Sequence, residues 1–530
     1  MNNIVDYLEL TANRLPEKIA FADPDNDISY RELKRLSLVY GLGFIKGSIS
    51  DSVAPVFCGD AVAFFMEKEV ACLPIMFGAM YAGAFYSYID VRQTKDRTLS
   101  IVSTLEPKII ITNDENKDTV TEILKGTEYE KLVVNIDVLK RLSSDMMKEC
   151  LAGGDFAPCA KDEALLDFRR KLLTDTLPLY VNFTSGSTGL PKGVAVSHKS
   201  VIDFIEVFTK TFNITQDDII ANQAPFDFDV SVKDIYSGLF TGASVCLIPR
   251  PYFSNPSVLM DYLCDKKVTT LVWAVSAMCF VSIMNGLEYK TPSTINKIMF
   301  SGELMPIKQL NKWKKSLPDA MYVNLYGPTE ITCNCTYHIL DREYEKGDVI
   351  PIGTAFDNEK VFLLDDDDKL IEEVGVEGEI CVCGTCVAIG YYKDKEKTDA
   401  AFMQNPLNTN YYERMYRTGD LGKLDEEGRF VYTSRKDFQI KHMGQRIELG
   451  DIENSAMTID GVERACCLYD DKKKKILLYY VGEKDKDTVS EKLHDILPAF
   501  MIPGKTTKIS EFPLNKNGKI DRKELMNIND

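Results

Sequence analysis

From about residue 50 to 300 the chain alternates short apolar runs with longer amphipathic stretches. The runs are KIIIT at 108–112, LYVNF at 179–183, SVCLI at 244–248 and TTLVWAV at 269–275. Apolar runs of strand length separated by helix-period segments are the signature of strands crossed by helices in α/β layers. The pattern predicts an α/β fold with a large N-terminal domain of layered α/β subdomains. After residue 353 it gives way to short strands with turn signals, a β-rich subdomain, in which DDDD at 365–368 reads as a solvated hairpin turn rather than a metal site. Beyond 436 a compact α+β tail follows, with helices expected around 451–458 and 488–497 and strands at 465–469 and 476–481. KKKK at 472–475 forms the charged tip between those strands. We therefore expect two domains, 1–436 and 437–530.

A chain of 530 residues exceeds the usual single-domain size. Its formal charge of −17 argues against a nucleic-acid partner, since phosphate backbones need a positive surface. The N-terminus, MNNIVDYLEL, lacks the basic region and apolar core of a secretory signal, so the fourteen cysteines are expected to be thiols in a cytoplasmic protein. CVCGTC at 381–386 lies in a predicted strand with no histidine nearby and reads as structural cysteine. The four histidines are too scattered for a metal site or a catalytic triad. Residues 70–89 carry no charge and are as long as a membrane span, but Pro74, Gly78 and Gly83 interrupt them.

The segment YVNFTSGSTGLPKG at 180–193 carries the clearest chemistry. Gly186, Gly189 and Gly193 let backbone N–H groups turn toward one anion. Thr184, Ser185, Ser187 and Thr188 add hydroxyl donors, and Lys192 adds charge. The loop departs from GxxxxGK[ST], because Lys192 is followed by Gly193 and then by VAVSH, which reads as a strand. A helix dipole is therefore not the main anion anchor, and a strand–loop–strand connection is expected.

This segment resembles the phosphate loop of the adenylate-forming (ANL) enzymes, which include nonribosomal peptide synthetase adenylation domains, acyl-CoA synthetases and D-alanine–carrier protein ligases. Nine further motifs follow the family's order: ISYREL (28–33), GAMYAGAFYSYID (78–90), FDVS (228–231), NLYGPTE (324–330), GEICVCGTCVAIGYY (378–392), YRTGDL (416–421), SRKDFQIKHMGQRIELGDIE (434–453), LPAFMIP (497–503) and NGKIDR (517–522). The resemblance puts residues 70–89 in a buried helix and the following strand. It also implies ATP and Mg²⁺ as cofactors. Thr184, Ser185, Thr188 and Lys192 would touch the β- and γ-phosphates, Thr329 the α-phosphate, and Glu330 would hold Mg²⁺. Tyr326 would offer an aromatic face to adenine beside Asn324 and the Gly302 backbone. Asp420 would accept the ribose hydroxyls, an acceptor-only group meeting two donors, with Arg435 adding a ribose or phosphate contact. Lys519 becomes the catalytic lysine, carried on a mobile C-terminal lid that pivots at Asp437.

By the same resemblance, Asp229 pairs with a substrate α-ammonium, which marks amino-acid activation. The side-chain pocket would be lined by Val230, Lys233, Trp273, Met299, Ser301, Leu325, Cys333 and Asn334. Trp273 and the DFQIK wording are similar to the D-alanine–carrier protein ligases, although those have cysteine where Ser301 stands. Lys233 has two readings: pairing with an acidic substrate side chain, or snorkelling to the surface. No stretch after Arg522 is long enough for a carrier domain, so the aminoacyl acceptor is expected to be the phosphopantetheine thiol of a separate carrier protein. The alternative is an acyl-CoA synthetase with CoA as acceptor.

Overall fold

The computed structural model describes residues 3–48, 53–141, 151–152, 155–156, 158–184, 191–436, 439–470, 473–513, 520 and 522–527, with backbone alone at 151–152, 155–156 and 523. The chain divides into two compact units. The larger comprises Met1–Val91, Val102–Asn182 and Gly193–Lys436. The smaller comprises Arg92–Ile101, Phe183–Lys192 and Asp437–Asp530. The smaller unit thus takes in two segments that the sequence reading assigned to the N-terminal domain, and one of them is most of the glycine-rich loop.

Within the larger unit, two sheets carry the α/β pattern. A seven-stranded sheet runs Gly390–Tyr391, Lys192–Ser197, Pro178–Thr184, Phe85–Tyr88, Ala61–Phe65, Ile109–Thr112, Val133–Asn135. A nine-stranded sheet has a parallel centre in the order Met321–Tyr326, Lys297–Ser301, Thr270–Ala274, Ile219–Asn222, Ser244–Leu247, Ile19–Ala22, with antiparallel strands at both ends. Parallel strands are covered on both faces, which is why their sequences read as unbroken apolar runs.

Residues 70–89 form a 3-10 turn, the helix Leu73–Tyr81 and the strand Phe85–Tyr88, with every residue of helix and strand buried. A helix apolar all round belongs in a core. It packs on Tyr30–Lys46 where Gly78 passes Gly41, and a Cβ on Gly78 would come within 2.6 Å of Tyr40 Cβ. No described helix is long and apolar enough to cross a membrane.

The β-rich subdomain is antiparallel, built on Glu359–Leu364, Gly378–Gly384, Arg414–Leu424 and Phe430–Arg435. Asp365–Asp368 turn between Glu359–Leu364 and Leu370–Ile371, with Asp368 at φ 62° and its carboxylate on Arg417. Cys381 and Cys383 pack with Phe362, Leu364 and Met415, whereas Cys386 lies in the main core and donates to Glu359. The described cysteines are free thiols.

The smaller unit contains the hairpin Gln439–His442/Gln445–Glu448, the helices Leu449–Met457 and Lys486–Ile496, and the sheet Val462–Asp470, Lys475–Gly482, Lys505–Lys508. Ile447, Ile452, Leu478, Leu493 and Met501 form its core.

Candidate active site

Side-chain alternation along the nine-stranded sheet sorts the candidate residues between its two faces. Its rungs align Val272 with Met299 and Val323, Trp273 with Phe300 and Asn324, and Ala274 with Ser301 and Leu325. Successive side chains point to opposite faces, so Met299, Ser301 and Leu325 share one face with Val272 and Ala274. Trp273 is on the other. It packs with Phe253 and, edge-on, with Trp313, and its indole N–H donates to the Ala221 carbonyl at 2.9 Å. Its assignment to the pocket wall is therefore corrected, because one residue of phase moves a strand side chain across the sheet. Val272 and Ala274 stand on the face where Trp273 was expected.

Against that face packs the helix Val230–Thr241, with Asp229 at its N-cap. Asp229 is buried and Val230 is half-buried. One turn into the helix, Lys233 is 1% exposed, which removes the snorkelling alternative. Its ammonium donates to Asn334 Oδ1 at 2.6 Å. Burial pulls the Lys233 pKa down, while nearby Cys333, Asp229 and Asp234 oppose that shift. The Cys333 thiol donates to the Asp229 carbonyl at 3.0 Å.

Cys333 and Asn334 reach this helix through a strained turn. Thr332 and Cys333 have φ 55° and 74°, left-handed values that cost a β-branched residue especially. The turn is held by the Thr332 hydroxyl, which donates to the Cys386 carbonyl at 2.7 Å. Just before it, the short turn Thr329–Ile331 carries Glu330, whose side chain is fully buried and accepts the Tyr391 hydroxyl at 2.9 Å. Glu330 and the expected pocket residues Cys333 and Asn334 thus lie on one six-residue segment.

Tyr326 ends its strand and donates its hydroxyl to Asp420 Oδ2 at 2.6 Å. Burial, and then the Asp420 charge, push the Tyr326 phenol well above its ordinary pKa. Asp420 faces Arg435 across the antiparallel pair, and the guanidinium donates to Oδ1 at 2.5 Å and to the Thr418 carbonyl at 3.1 Å. Expected ribose acceptor, expected adenine platform and expected cation are thus one hydrogen-bonded chain, buried at Asp420 to 2% exposure. Each carboxylate oxygen accepts more than one donor, so Asp420 keeps capacity for hydroxyl groups.

Asn324 donates to the Pro351 carbonyl at 2.8 Å. Gly302, just past the neighbouring strand end, has φ 99°, and a Cβ there would meet nothing within 4 Å. Among the described residues no group of three or more His, Cys, Asp or Glu side chains could hold a metal ion. A buried carboxylate such as Glu330 nonetheless has the oxygen chemistry that suits Mg²⁺, which is commonly held by one or two carboxylates with water and substrate phosphates supplying the rest.

Of the phosphate-loop residues, Thr184 closes the strand Pro178–Thr184 and its buried hydroxyl has no partner among the described residues. Lys192 opens the strand Lys192–Ser197. The two expected strands are present on either side of residues 185–190. Ser185, Thr188, Asp437 and Lys519 lie outside the described residues.

Lys68 and Asp234 escaped the sequence reading. The Lys68 ammonium donates to the carbonyls of Asn222, Gln223 and Ala224 and, at 2.7 Å, to Asn222 Oδ1. The Asn222 amide in turn donates to Asp234 Oδ2 at 2.7 Å. Burial lowers the Lys68 pKa to about 7 and raises that of Asp234 to about 7. No local motif marks either residue, and only the fold brings them together.

The model of the family described as AMP-binding enzyme matches residues 8–392. The L-proline–[L-prolyl-carrier protein] ligase of Streptomyces coelicolor is 29% identical, over 88% of this chain and 87% of that protein. Tyrocidine synthase 3 of Brevibacillus parabrevis is 28% identical over 98% of this chain, which spans only 7% of the synthase. Among solved structures, holo-PA1221, an NRPS protein containing adenylation and PCP domains, superposes with TM-score 0.80 at 21% identity, covering 99% of this chain and 84% of that one. With the family model matched across both sheets, the chain belongs to the AMP-binding enzyme family of adenylate-forming ligases.

Proposed function

We propose that this enzyme uses ATP to convert an amino acid to its aminoacyl-AMP, releasing pyrophosphate, and then transfers the aminoacyl group to the phosphopantetheine thiol of a separate carrier protein. One observation carries the amino-acid reading. Asp229, a buried carboxylate at a helix N-cap, has its main-chain carbonyl bonded by Cys333, from the segment that also bears Glu330. A buried carboxylate attracts cationic groups, and an α-ammonium is one.

Attack of the substrate carboxylate on the α-phosphate brings two anions together, so positive charge and donors must converge on them. In this reading Thr184, Ser185, Thr188 and Lys192 bind the β- and γ-phosphates and Thr329 the α-phosphate. Asp420 and Arg435 take the ribose, and Tyr326, Asn324 and Gly302 form the adenine slot. Glu330 would hold Mg²⁺, which when bound supplies charge to the phosphate oxygens. Lys519 bridges the carboxylate and the α-phosphate, and residues 437–530 turn about Asp437 between the two half-reactions.

The test is ATP–pyrophosphate exchange over all L- and D-amino acids, followed by transfer to a holo-carrier protein or to CoA. Exchange with an amino acid and transfer to the carrier are expected. Absence of exchange with every amino acid would overturn the first half-reaction, and preference for CoA the second.

A further inference from the structure

The geometry points to Tyr391 as a positioning residue of the proposed reaction: residues 386–391 brace the turn that bears Glu330, and the Tyr391 hydroxyl aims the Glu330 carboxylate at Mg²⁺. The inference rests on the assignment of Mg²⁺ to Glu330 in the reading above and adds the residue that orients that carboxylate.

Hydrogen bonds join the two segments. The Ala388 N–H donates to the Glu330 carbonyl at 2.9 Å, the Thr332 hydroxyl to the Cys386 carbonyl at 2.7 Å, and the Tyr391 hydroxyl to Glu330 Oε1 at 2.9 Å. The first two hold the turn, and the last reaches the carboxylate itself. Glu330 and Tyr391 are both buried, so water does not compete for that bond, and a bond to an ionised acceptor is among the stronger kinds. Thr332 keeps its left-handed φ of 55° inside this brace, as strained backbone persists only where its surroundings over-determine it.

Tyr391 is itself held at both ends. Its main-chain N–H donates at 2.9 Å to Thr398 Oγ1, on the helix Lys395–Ala401, and its ring stands edge-on to Phe402 with 5.4 Å between centroids. The phenol therefore carries its hydroxyl to one point. A donor at Oε1 selects one orientation of a side chain that otherwise turns about three bonds, while a carboxylate keeps further lone pairs beyond the one so used. A phenol is also a neutral donor. It orients the carboxylate without cancelling its charge, whereas an arginine or lysine in its place would offset the charge that a divalent cation needs.

The brace reaches the phosphate side as well. The strand Gly390–Tyr391 pairs with the strand Lys192–Ser197, setting Tyr391 opposite Val194 and Gly390 opposite Ala195. On either side of this pair, the Ile389 N–H donates to the Ala195 carbonyl at 2.9 Å and the Tyr392 N–H to the Gly193 carbonyl at 2.7 Å. One short stretch thus holds the strand that leaves the glycine-rich loop and, next to it, the turn that bears Glu330. Groups meant for one ligand must keep their mutual placement to within about 0.5 Å, and a stretch bonded to both sets it. The proposed function gives the motif GEICVCGTCVAIGYY (378–392) no other part.

Calorimetric titration of the full-length protein with ATP, once with Mg²⁺ and once with EDTA, tests the proposal. The readout is the ratio of the two affinities, the gain that Mg²⁺ brings. Tyr391→Phe keeps the ring against Phe402 and deletes the hydroxyl, and the ratio should fall about tenfold or more while the Kd for AMP holds. Glu330→Gln should lower the ratio at least as far, and Tyr391→Phe added to it should lower it no further, because the two act through one contact. Should Tyr391→Phe fail to fold, Thr332→Val keeps the β-branched shape, removes the tie to Cys386 and should lower the ratio in the same direction. An unchanged ratio in Tyr391→Phe, or in Thr332→Val where only that variant folds, would overturn the inference. So would full additivity in the double variant, or an equal loss of affinity for AMP and for ATP with and without Mg²⁺, the mark of a merely structural bond. These titrations contain no amino acid, so amino-acid activation stands or falls separately, by the exchange assay above.

Discussion

The Tyr326 hydroxyl donates to Asp420 at 2.6 Å and so ties the end of a strand in the nine-stranded sheet to the β-rich subdomain. Asp420 is braced from its other oxygen by Arg435. A buried carboxylate held by two donors keeps one rotamer and presents its remaining lone pairs in a fixed direction. Preorganisation of that sort would serve the recognition of a vicinal diol, the role proposed for Asp420.

Tyr326→Phe keeps the ring and deletes only this bond, at a cost of about 1–3 kcal/mol for the acceptor left short. We expect the KM for ATP to rise about tenfold, the lower part of that range, with little change in the KM for the amino acid. Initial-rate exchange assays varying each substrate in turn check it. A selective rise in the amino-acid KM would detach Asp420 from the nucleotide.

Arg522 gives a second prediction. It closes the NGKIDR motif, and its guanidinium donates to Glu453 at 2.8 Å and to the Cys467 carbonyl at 2.5 Å, while Glu453 also accepts the Cys467 N–H at 2.7 Å. Three residues upstream stands Lys519. If Lys519 bridges the reacting anions, Lys519→Ala should abolish aminoacyl-AMP formation and largely spare transfer from preformed adenylate. Arg522→Ala, which loosens the anchor of the same segment, should slow adenylation about tenfold or more with the same sparing of transfer. Asp437→Pro should show the opposite split. Rapid-quench measurement of each half-reaction separates these outcomes.

The layered architecture could be read from residues because parallel strands between covering helices leave long apolar runs, and KIIIT, LYVNF, SVCLI and TTLVWAV each became a strand. The same property hid the phase of TTLVWAV. With apolar side chains on both faces, nothing in the run says whether Val272 or Trp273 faces the helix Val230–Thr241, and resemblance alone put the wrong one there. The tail's helices and strands lay within a few residues of expectation, since each is amphipathic. Lys68 and Asp234 carried no sign at all: their meaning comes from a non-local arrangement in which a residue just past one strand meets the residues following another. The strain at Thr332 and Cys333 was equally silent, because neither residue type favours positive φ.

His198 makes stability depend on pH. It is buried, its Nδ1 accepts the Ile4 N–H at 3.3 Å, and burial drives its pKa down to about 3. The unfolded chain, with an ordinary pKa near 6.5, binds a proton that the folded state refuses, so stability is lost as pH falls below 6.5 toward 3. From this residue alone we expect about 1.4 kcal/mol less stability at pH 5.5 than at pH 7.5. Urea denaturation at both values, in wild type and in His198→Gln, isolates the contribution as the difference between their pH dependences. Equal dependences would mean that His198 titrates normally.

The pair Lys68 and Asp234 calls for a double-mutant cycle. Lys68 gathers three main-chain carbonyls at the end of the strand Ile219–Asn222, just where the chain sets off toward Asp229. Asp234, on the helix that Asp229 caps, reaches the same ammonium through Asn222, and its Oδ1 has no partner among the described residues. Removing Lys68 alone leaves the buried Asp234 with Lys233 as its remaining cation, and removing Asp234 alone leaves the buried ammonium with the more weakly acting Glu67 and Asp227, each costing up to about 3 kcal/mol. Removing both takes this pair of opposite charges out together. Lys68→Met/Asp234→Leu should therefore be more stable than the sum of the singles by about 1–3 kcal/mol, read from denaturant midpoints. Because the three carbonyls lose their donor in the double variant too, the path to Asp229 should slacken even where stability recovers. The KM for the amino acid should then rise while that for ATP holds. Full recovery of both stability and amino-acid KM would reduce Lys68 to a counter-charge for Asp234, with no part in positioning Asp229.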